Sequence, residues 1–166
     1  PTQGRSGQVI ATGGLSDLAK ESVTNISAVV KKLTGKDIRD YDLHVQFPGT
    51  HNVDGDSASI TMATAIISAF EGVPIDQNLA MTGSLTVRGE VLPIGGVSAK
   101  IEAAVKSGIK RVVIPRSNMN DVLIDEKYES QVEILAVDSL DEVLEHALVG
   151  KEEKVSLVER LATVSY

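Results

Sequence analysis

The sequence predicts a single domain of the α+β class. Three observations lead there. Helical and strand-like periodicities both occur, they mix without strict alternation, and no internal repeat, low-complexity tract or long linker divides the 166 residues. A chain of this length matches one ordinary domain and buries a sizeable core without disulfides or metals. The one subdivision the pattern admits is a small C-terminal lobe from about Gly108 onward.

The elements follow from local pattern. Residues 8–11 (Gln-Val-Ile-Ala) form a short strand closed by Gly13-Gly14. From 17 to 33, Leu18, Val23, Ile26, Val29, Val30 and Leu33 recur at helical spacing, and Thr34-Gly35 ends that helix. Residues 41–47 alternate as a strand stopped by Pro48-Gly49. A helix over 57–70 ends at Glu71-Gly72-Val73-Pro74. Residues 80–91 read as strand, turn, strand, punctuated by Gly83 and Gly89. Pro93-Ile94-Gly95-Gly96 makes a sharp connection to a helix over 97–107 that Gly108 caps. Residues 111–114 and 132–137 are short buried strands, Asp138-Ser139 begins a helix over 140–148, and 152–163 form a terminal helix.

Composition excludes several function classes. Hydrophobic residues make up 42% of the chain and charged residues 23%, ordinary for a globular domain. Aromatics are 3% and tryptophan is absent, so the core rests on Val, Ile, Leu and Ala. A net charge of −7 argues against wrapping nucleic acid and against contact with an anionic membrane surface. Without cysteine there is no disulfide, thiolate nucleophile or thiolate metal site. This composition fits a cytoplasmic setting. No signal peptide or run long enough to span a bilayer is present, and a first residue of Pro1 suggests a piece of a longer polypeptide.

One junction concentrates the chemistry. The polar turn His51-Asn52-Val53-Asp54-Gly55-Asp56-Ser57-Ala58-Ser59 runs into a helix with no charge between Ser57 and Phe70. Two readings of Ser57 stand side by side. Asp56 or Ser57 is a standard helix cap, accepting from a first-turn N–H. Alternatively, a serine rigidly held at the head of a buried helix is a nucleophile whose neighbouring N–H groups stabilise an oxyanion. A nucleophilic serine needs a base. His51 with Asp54 would make a triad from one short loop, which is geometrically difficult. His44 and His146 read as structural or solvent-exposed, and three scattered histidines offer no metal-ligand spacing.

Lys100 is the better base. It follows the Gly95-Gly96 turn in a helix whose inner stripe is Val97, Ile101, Ala104, Val105 and Gly108. On a wheel of 100° per residue it projects about 40° from Ala104, bordering the buried face. The bland reading is a snorkelling surface lysine. To act as a base it must be neutral, with its pKa lowered from about 10.4 toward roughly 7–8 by burial. A nearby carboxylate works the other way. Asp54 and Asp56 either point away from Lys100 or describe a resting state that must break.

The stretch from Val53 to Ser59, the run Ala80-Met81-Thr82-Gly83-Ser84-Leu85-Thr86-Val87-Arg88-Gly89-Glu90-Val91-Leu92-Pro93-Ile94-Gly95-Gly96-Val97-Ser98-Ala99-Lys100, the following Ile101-Glu102-Ala103-Ala104, and Val112-Val113-Ile114-Pro115 together resemble the proteolytic domain of Lon proteases. The resemblance covers most of the chain, and the combined motifs are highly specific. It implies a Ser-Lys dyad with Ser57 as nucleophile and Lys100 as general base. It also implies a Thr82 hydroxyl that orients the lysine, and an oxyanion hole from backbone N–H groups between Gly55 and Ser57. The bacterial pattern Pro-Lys-Asp-Gly-Pro-Ser-Ala-Gly is departed from here: Asp56 replaces the second proline and Ser59 the final glycine. That resembles the archaeal subtype, in which an acidic residue at the Asp54 position is typical and the full-length form is anchored to the cell membrane.

Expectations follow from the resemblance. Residues 1–166 form one proteolytic domain, a serine endopeptidase acting on unfolded or damaged polypeptides. The ATPase module, with its ATP and magnesium, and any membrane segment lie outside this chain, because Gly35-Lys36 lacks the rest of a phosphate-binding loop. Family members assemble as hexamers with sites facing an inner chamber. The rival expectation is a Lon-like module that no longer cleaves and serves binding or ring assembly.

Overall fold

The computed structural model describes residues 2–3, 9–12, 17–47, 55–150, 157 and 159. They form a mixed α+β domain with thirteen elements in the order β1 (Thr2–Gln3), β2 (Val9–Thr12), α1 (Asp17–Thr34), β3 (Tyr41–Gln46), α2 (Ser59–Glu71), β4 (Leu79–Met81), β5 (Ser84–Leu85), β6 (Val91–Leu92), α3 (Val97–Lys106), β7 (Arg111–Pro115), α4 (Glu126–Glu129), β8 (Glu133–Val137) and α5 (Leu140–Ala147). Short 3-10 turns at Ile38–Asp40 and Arg116–Asp121 link them.

Three small sheets result. β3 lies between β1, antiparallel, and β2, parallel. β4, β7 and β8 form an all-parallel sheet. β5 and β6 form a hairpin in which Leu85 pairs with Val91.

The central helix is α2. Its sequence has no charge before Glu71, so nothing prevents burial on most faces, and Ile60, Met62, Ala63, Thr64, Ile66 and Ile67 are all buried. Buried Thr64 satisfies its hydroxyl by donating to the carbonyl of Ile60 at 2.7 Å. Gly72 ends the helix at φ +69°, where its N–H donates to Ser68 O at 2.9 Å. α1 packs on α2 through Ile26, Val29, Val30 and Leu33, the spacing that the sequence predicts.

β7 shows how the core divides. Its run Val112-Val113-Ile114 is buried throughout, as expected of a parallel strand covered on both faces. Val112 and Ile114 pack with Val97 and Ile101 of α3. Val113 joins the larger cluster around Ile60, Ile67 and Leu144. The segment after Gly108, where the sequence suggests a lobe, therefore shares a sheet with β4, and α5 packs against α2. Two bonds tie the β5–β6 hairpin to the start of α5: Val91 N to Asp138 O at 2.8 Å and Leu140 N to Gly89 O at 2.9 Å.

Two expectations require correction. The helix begins at Ser59, not Ser57, with Ala58 at its N-cap position and no side-chain cap. The physical reason is that the Ser57 carbonyl is diverted to Gly83, so the first helical bond runs from Met62 N to Ala58 O at 3.0 Å. The strand-turn-strand reading of 80–91 also splits. β4 belongs to the parallel sheet, and the chain leaves it after Thr82 N bonds Val113 O at 3.1 Å. The hairpin is β5 and β6, turned at Gly89, whose φ is +93°. Of the predicted terminal helix, Leu157 and Glu159 are helical, and Leu157 is buried in the core. The rest of that helix and Gly13-Gly14 lie outside the described residues.

Gly83 sits where the break occurs. A Cβ there would meet Val91 Cγ1 at 3.0 Å and Ile60 Cδ1 at 3.1 Å, so these two buried side chains would have to give by a few tenths of an ångström to admit a methyl group. Gly83→Ala is expected to destabilise the domain by about 1–3 kcal/mol through this overpacking. Urea denaturation of parent and variant at equal m-value measures it.

Candidate active site

The turn before α2 presents Ser57. Gly55 adopts φ +79°, a conformation that favours glycine, and turns the chain toward the helix. Ser59 then closes the turn twice, donating to Asp56 O from its backbone N at 2.9 Å and from its hydroxyl at 2.5 Å. Asp56 is not the helix cap that the sequence suggests, since its carboxylate instead accepts from the Ser84 hydroxyl at 2.5 Å.

The connection from β4 to β5 grips this turn from the other side. Gly83 N donates to Ser57 O at 2.8 Å, and Ile60 N donates back to Gly83 O at 3.3 Å. Buried Thr82 adds a hydroxyl bond to Ser57 O at 3.2 Å. Ser57 is thereby fixed by the sheet rather than by the helix.

Lys100 arrives from α3. Gly96, at φ +69°, occupies the N-cap of that helix, and Lys100 N donates to Gly96 O at 3.2 Å. The Pro93–Gly96 connection is held by buried Asn118, which accepts from Ile94 N at 2.9 Å and donates to Ile94 O at 3.0 Å. Ser98 adds a bond to Asp121 O at 3.0 Å. Sequence reasoning missed Asn118. A polar residue beside Pro115 and Arg116 reads as a loop residue, and no local pattern shows that it reaches back 24 positions to Ile94.

These supports bring Lys100 Nζ to 3.0 Å from Ser57 Oγ and 3.2 Å from Thr82 Oγ1, across 43 residues of sequence for the first pair. Lys100 is half-buried. That burial lowers its pKa below the ordinary lysine value, because a desolvated ammonium is disfavoured, and the negative charge of Asp56 works in the opposite direction. Among the described residues, no carboxylate lies within ion-pairing distance of Lys100.

The hydrogen-bond directions define what this cluster can do. The Thr82 proton is committed to Ser57 O, so its oxygen accepts an N–H from Lys100. A neutral amine has two N–H donors and one lone pair. With one N–H directed at Thr82, the lone pair can face the Ser57 hydroxyl at 3.0 Å, within reach for proton transfer. A cavity of about 230 Å³ opens beside the pair, walled by Ala80, Met81 and Val112 and reaching Ala58 and Thr61. Among the described residues, the N–H groups of Ser57 and Ala58 donate to no backbone carbonyl.

Residues 2–150 match the Lon protease (S16) C-terminal proteolytic domain. The chain is 54% identical to the archaeal Lon protease of Methanothermobacter thermautotrophicus over 99% of its own length, and 53% identical to that of Archaeoglobus fulgidus over 96%. It belongs to the Lon proteolytic domain family. The likeness extends more weakly to a bacterial Lon protease, that of Azorhizobium caulinodans, 38% identical over 93% of the chain. The archaeal resemblance read from Asp56 and Ser59 agrees with this order. The chain spans about a quarter of the length of the archaeal relatives, 26% of each of the two named.

For a Lon proteolytic domain, the sequence-predicted residues fall as follows. Ser57, Lys100 and Thr82 meet; Gly55 and Asp56 shape the turn. His44 is exposed on β3 and His146 lies near the end of α5. Asp54 and His51 lie outside the described residues. No group of metal-ligating side chains occurs among the described residues, and no described helix is long and apolar enough to cross a membrane.

Asp56 provides a direct check of the electrostatics. Asp56→Asn removes the charge that raises the Lys100 pKa, so the Lys100 midpoint should move down. A titration of the lysine side-chain ¹³Cε resonances measures it, and an unmoved midpoint would show that the carboxylate does not act on the amine.

Proposed function

We propose that this Lon proteolytic domain is a serine endopeptidase in which Ser57 is the nucleophile and Lys100 the general base. The observation that carries the reading is the 3.0 Å contact between Lys100 Nζ and Ser57 Oγ, held with Thr82 at the edge of a half-apolar cavity.

The reaction runs through these side chains. Neutral Lys100 takes the Ser57 proton as Oγ forms a bond to the substrate carbonyl carbon. Negative charge develops on the carbonyl oxygen, and backbone N–H groups of the 55–58 turn hold it, a well-placed donor being worth about 3–4 kcal/mol. Lys100, now an ammonium, protonates the departing amine as the C–N bond breaks, leaving an acyl-enzyme. It then takes a proton from water, which attacks the ester and releases the acid as Ser57 regains its proton. Thr82 orients the amine throughout, which keeps its lone pair on Ser57.

The full-length protein is a larger proposal. The whole chain of residues 1–166 serves as one proteolytic domain joined to an ATPase module that uses ATP and magnesium. Its substrates are unfolded or damaged polypeptides, its assembly a homo-hexamer around an inner chamber, and its parent anchored to the cell membrane with this domain in the cytoplasm. Support comes from the identity to archaeal Lon proteases, which extend well beyond the region matched here. The non-proteolytic binding module is disfavoured by the intact contact among hydroxyl, amine and threonine.

Ser57→Ala and Lys100→Ala should each reduce hydrolysis of a fluorogenic peptide by about a thousandfold or more. Retained turnover in either variant, with the fold intact, would sink the dyad. Thr82→Val keeps shape and removes the hydroxyl. Its kcat should fall roughly tenfold with little change in KM, the pattern expected when alignment of a base is lost.

A further inference from the structure

Asp56 is joined to the β5–β6 hairpin by a contact that the peptidase mechanism does not use. Ser84, buried in β5, donates its hydroxyl to Asp56 Oδ2 at 2.5 Å. A hydroxyl that donates to a carboxylate makes a charge-assisted bond, about twice as strong as a neutral one. Ser84 lies two residues after Thr82, and the two hydroxyls reach adjacent residues of the turn, Asp56 and Ser57. One segment therefore holds both the nucleophile and the neighbouring carboxylate.

We propose that Ser84 is a positioning residue for the dyad, its hydroxyl holding the Asp56 carboxylate off the Lys100 amine. The inference rests on the peptidase reading for its consequence, though not for its measurement. Asp56 is itself exposed, so without a partner its side chain is free to rotate toward Lys100, the amine that its charge already acts on. The Ser84 hydroxyl supplies that partner from the hairpin, and the hairpin is fixed to α5 by the bonds at Val91 and Leu140.

The charges around Lys100 leave Asp56 as the group that decides. On α3, Glu102 is engaged by Lys106 at 3.4 Å. On β7, Arg111 pairs with Asp76 and Glu133. In the 3-10 turn beside α3, Arg116 pairs with Asp138, and Asp121 accepts from Asn118. α2 carries no charge before Glu71, which pairs with Lys36. Among the described residues, Asp56 is the charged group whose field bears on Lys100.

The consequence is a sign that can be measured. A carboxylate released toward Lys100 favours the ammonium, so the amine titrates at higher pH and is a base over a narrower range. In Ser84→Ala, the Lys100 ¹³Cε titration midpoint should rise by about one pH unit, in the range that an approaching opposite charge produces. The pH at which peptide hydrolysis reaches half its maximum should rise with it. In an Asp56→Asn background, Ser84→Ala should move neither.

An unmoved or lowered Lys100 midpoint in Ser84→Ala overturns the proposal. So does an equal shift in the Asp56→Asn background, because the hydroxyl would then act through the fold rather than the carboxylate. Ser84→Thr, which keeps the hydroxyl, should restore the parent midpoint. If Ser84→Ala does not fold, Ser84→Cys, nearly isosteric and a weak donor, should shift the midpoint the same way; no shift there also overturns it. Hydrolysis retained by Ser57→Ala would defeat the peptidase reading, whereas the Lys100 titration would still report on Ser84.

Discussion

The carbonyl of Ser57 is the atom on which this site depends. It accepts the Gly83 N–H at 2.8 Å and the Thr82 hydroxyl at 3.2 Å, and so stays out of the helical bonding pattern two residues before α2 begins. Had that carbonyl accepted the first helical bond, Ser57 would be the N-cap with its position set by α2. Diversion moves the serine onto the parallel sheet instead. Thr82 also donates its N–H to Val113 on β7, so the serine, the threonine and the buried strand form one connected frame. α3 packs against the same strand through Val112 and Ile114, which brings Lys100 to that frame from the opposite side.

This arrangement explains why an uncharged helix stands behind the serine. α2 is buried because α1, α5 and the hairpin all pack on it, and charge at its head would face either the core or the amine. The close approach of Gly83 to Ile60 and Val91 is part of the same constraint. Two backbone bonds join the turn to residue 83, and a side chain there would press on Val91 and Ile60. Burial and site geometry thus have a common origin. The lowered pKa of Lys100 follows from where α3 must pack, not from a separate device.

Much of the fold was legible in the sequence because its elements announce themselves locally. α1 carries an apolar stripe and a terminating Gly35, and β7 is a short apolar run closed by Pro115. The pairing partners of those elements were not legible. β4 and β5 read as one strand with its turn, since Gly83 looks like punctuation and nothing local says that the chain changes sheets there. At the site, Ser57 and Lys100 could be singled out by position: one ahead of an uncharged helix, the other at the border of a buried stripe. Their pairing came from the family resemblance and not from spacing, because 43 residues separate them and spacing alone does not encode a long-range bond. Asn118 was missed for the same reason, as its bonds to Ile94 depend on tertiary structure.

The acidic residue beside the serine is where local and global readings diverge most. Read locally, Asp56 is a helix cap: a short carboxylate ahead of unpaired N–H groups, near the positive end of a dipole. The structure assigns the capping contact to no side chain and gives the carboxylate to Ser84. That exchange has a physical logic. A carboxylate aimed at the turn would compete for the N–H groups of Ser57 and Ala58, which donate to no backbone carbonyl among the described residues, and it would stand close to the Lys100 amine. Held from the hairpin, the same charge acts on Lys100 from a fixed position. The bond that removes Asp56 from the helix end therefore suits the proposed Ser-Lys pair, whose lysine has a pKa set by burial more than by the neighbouring charge.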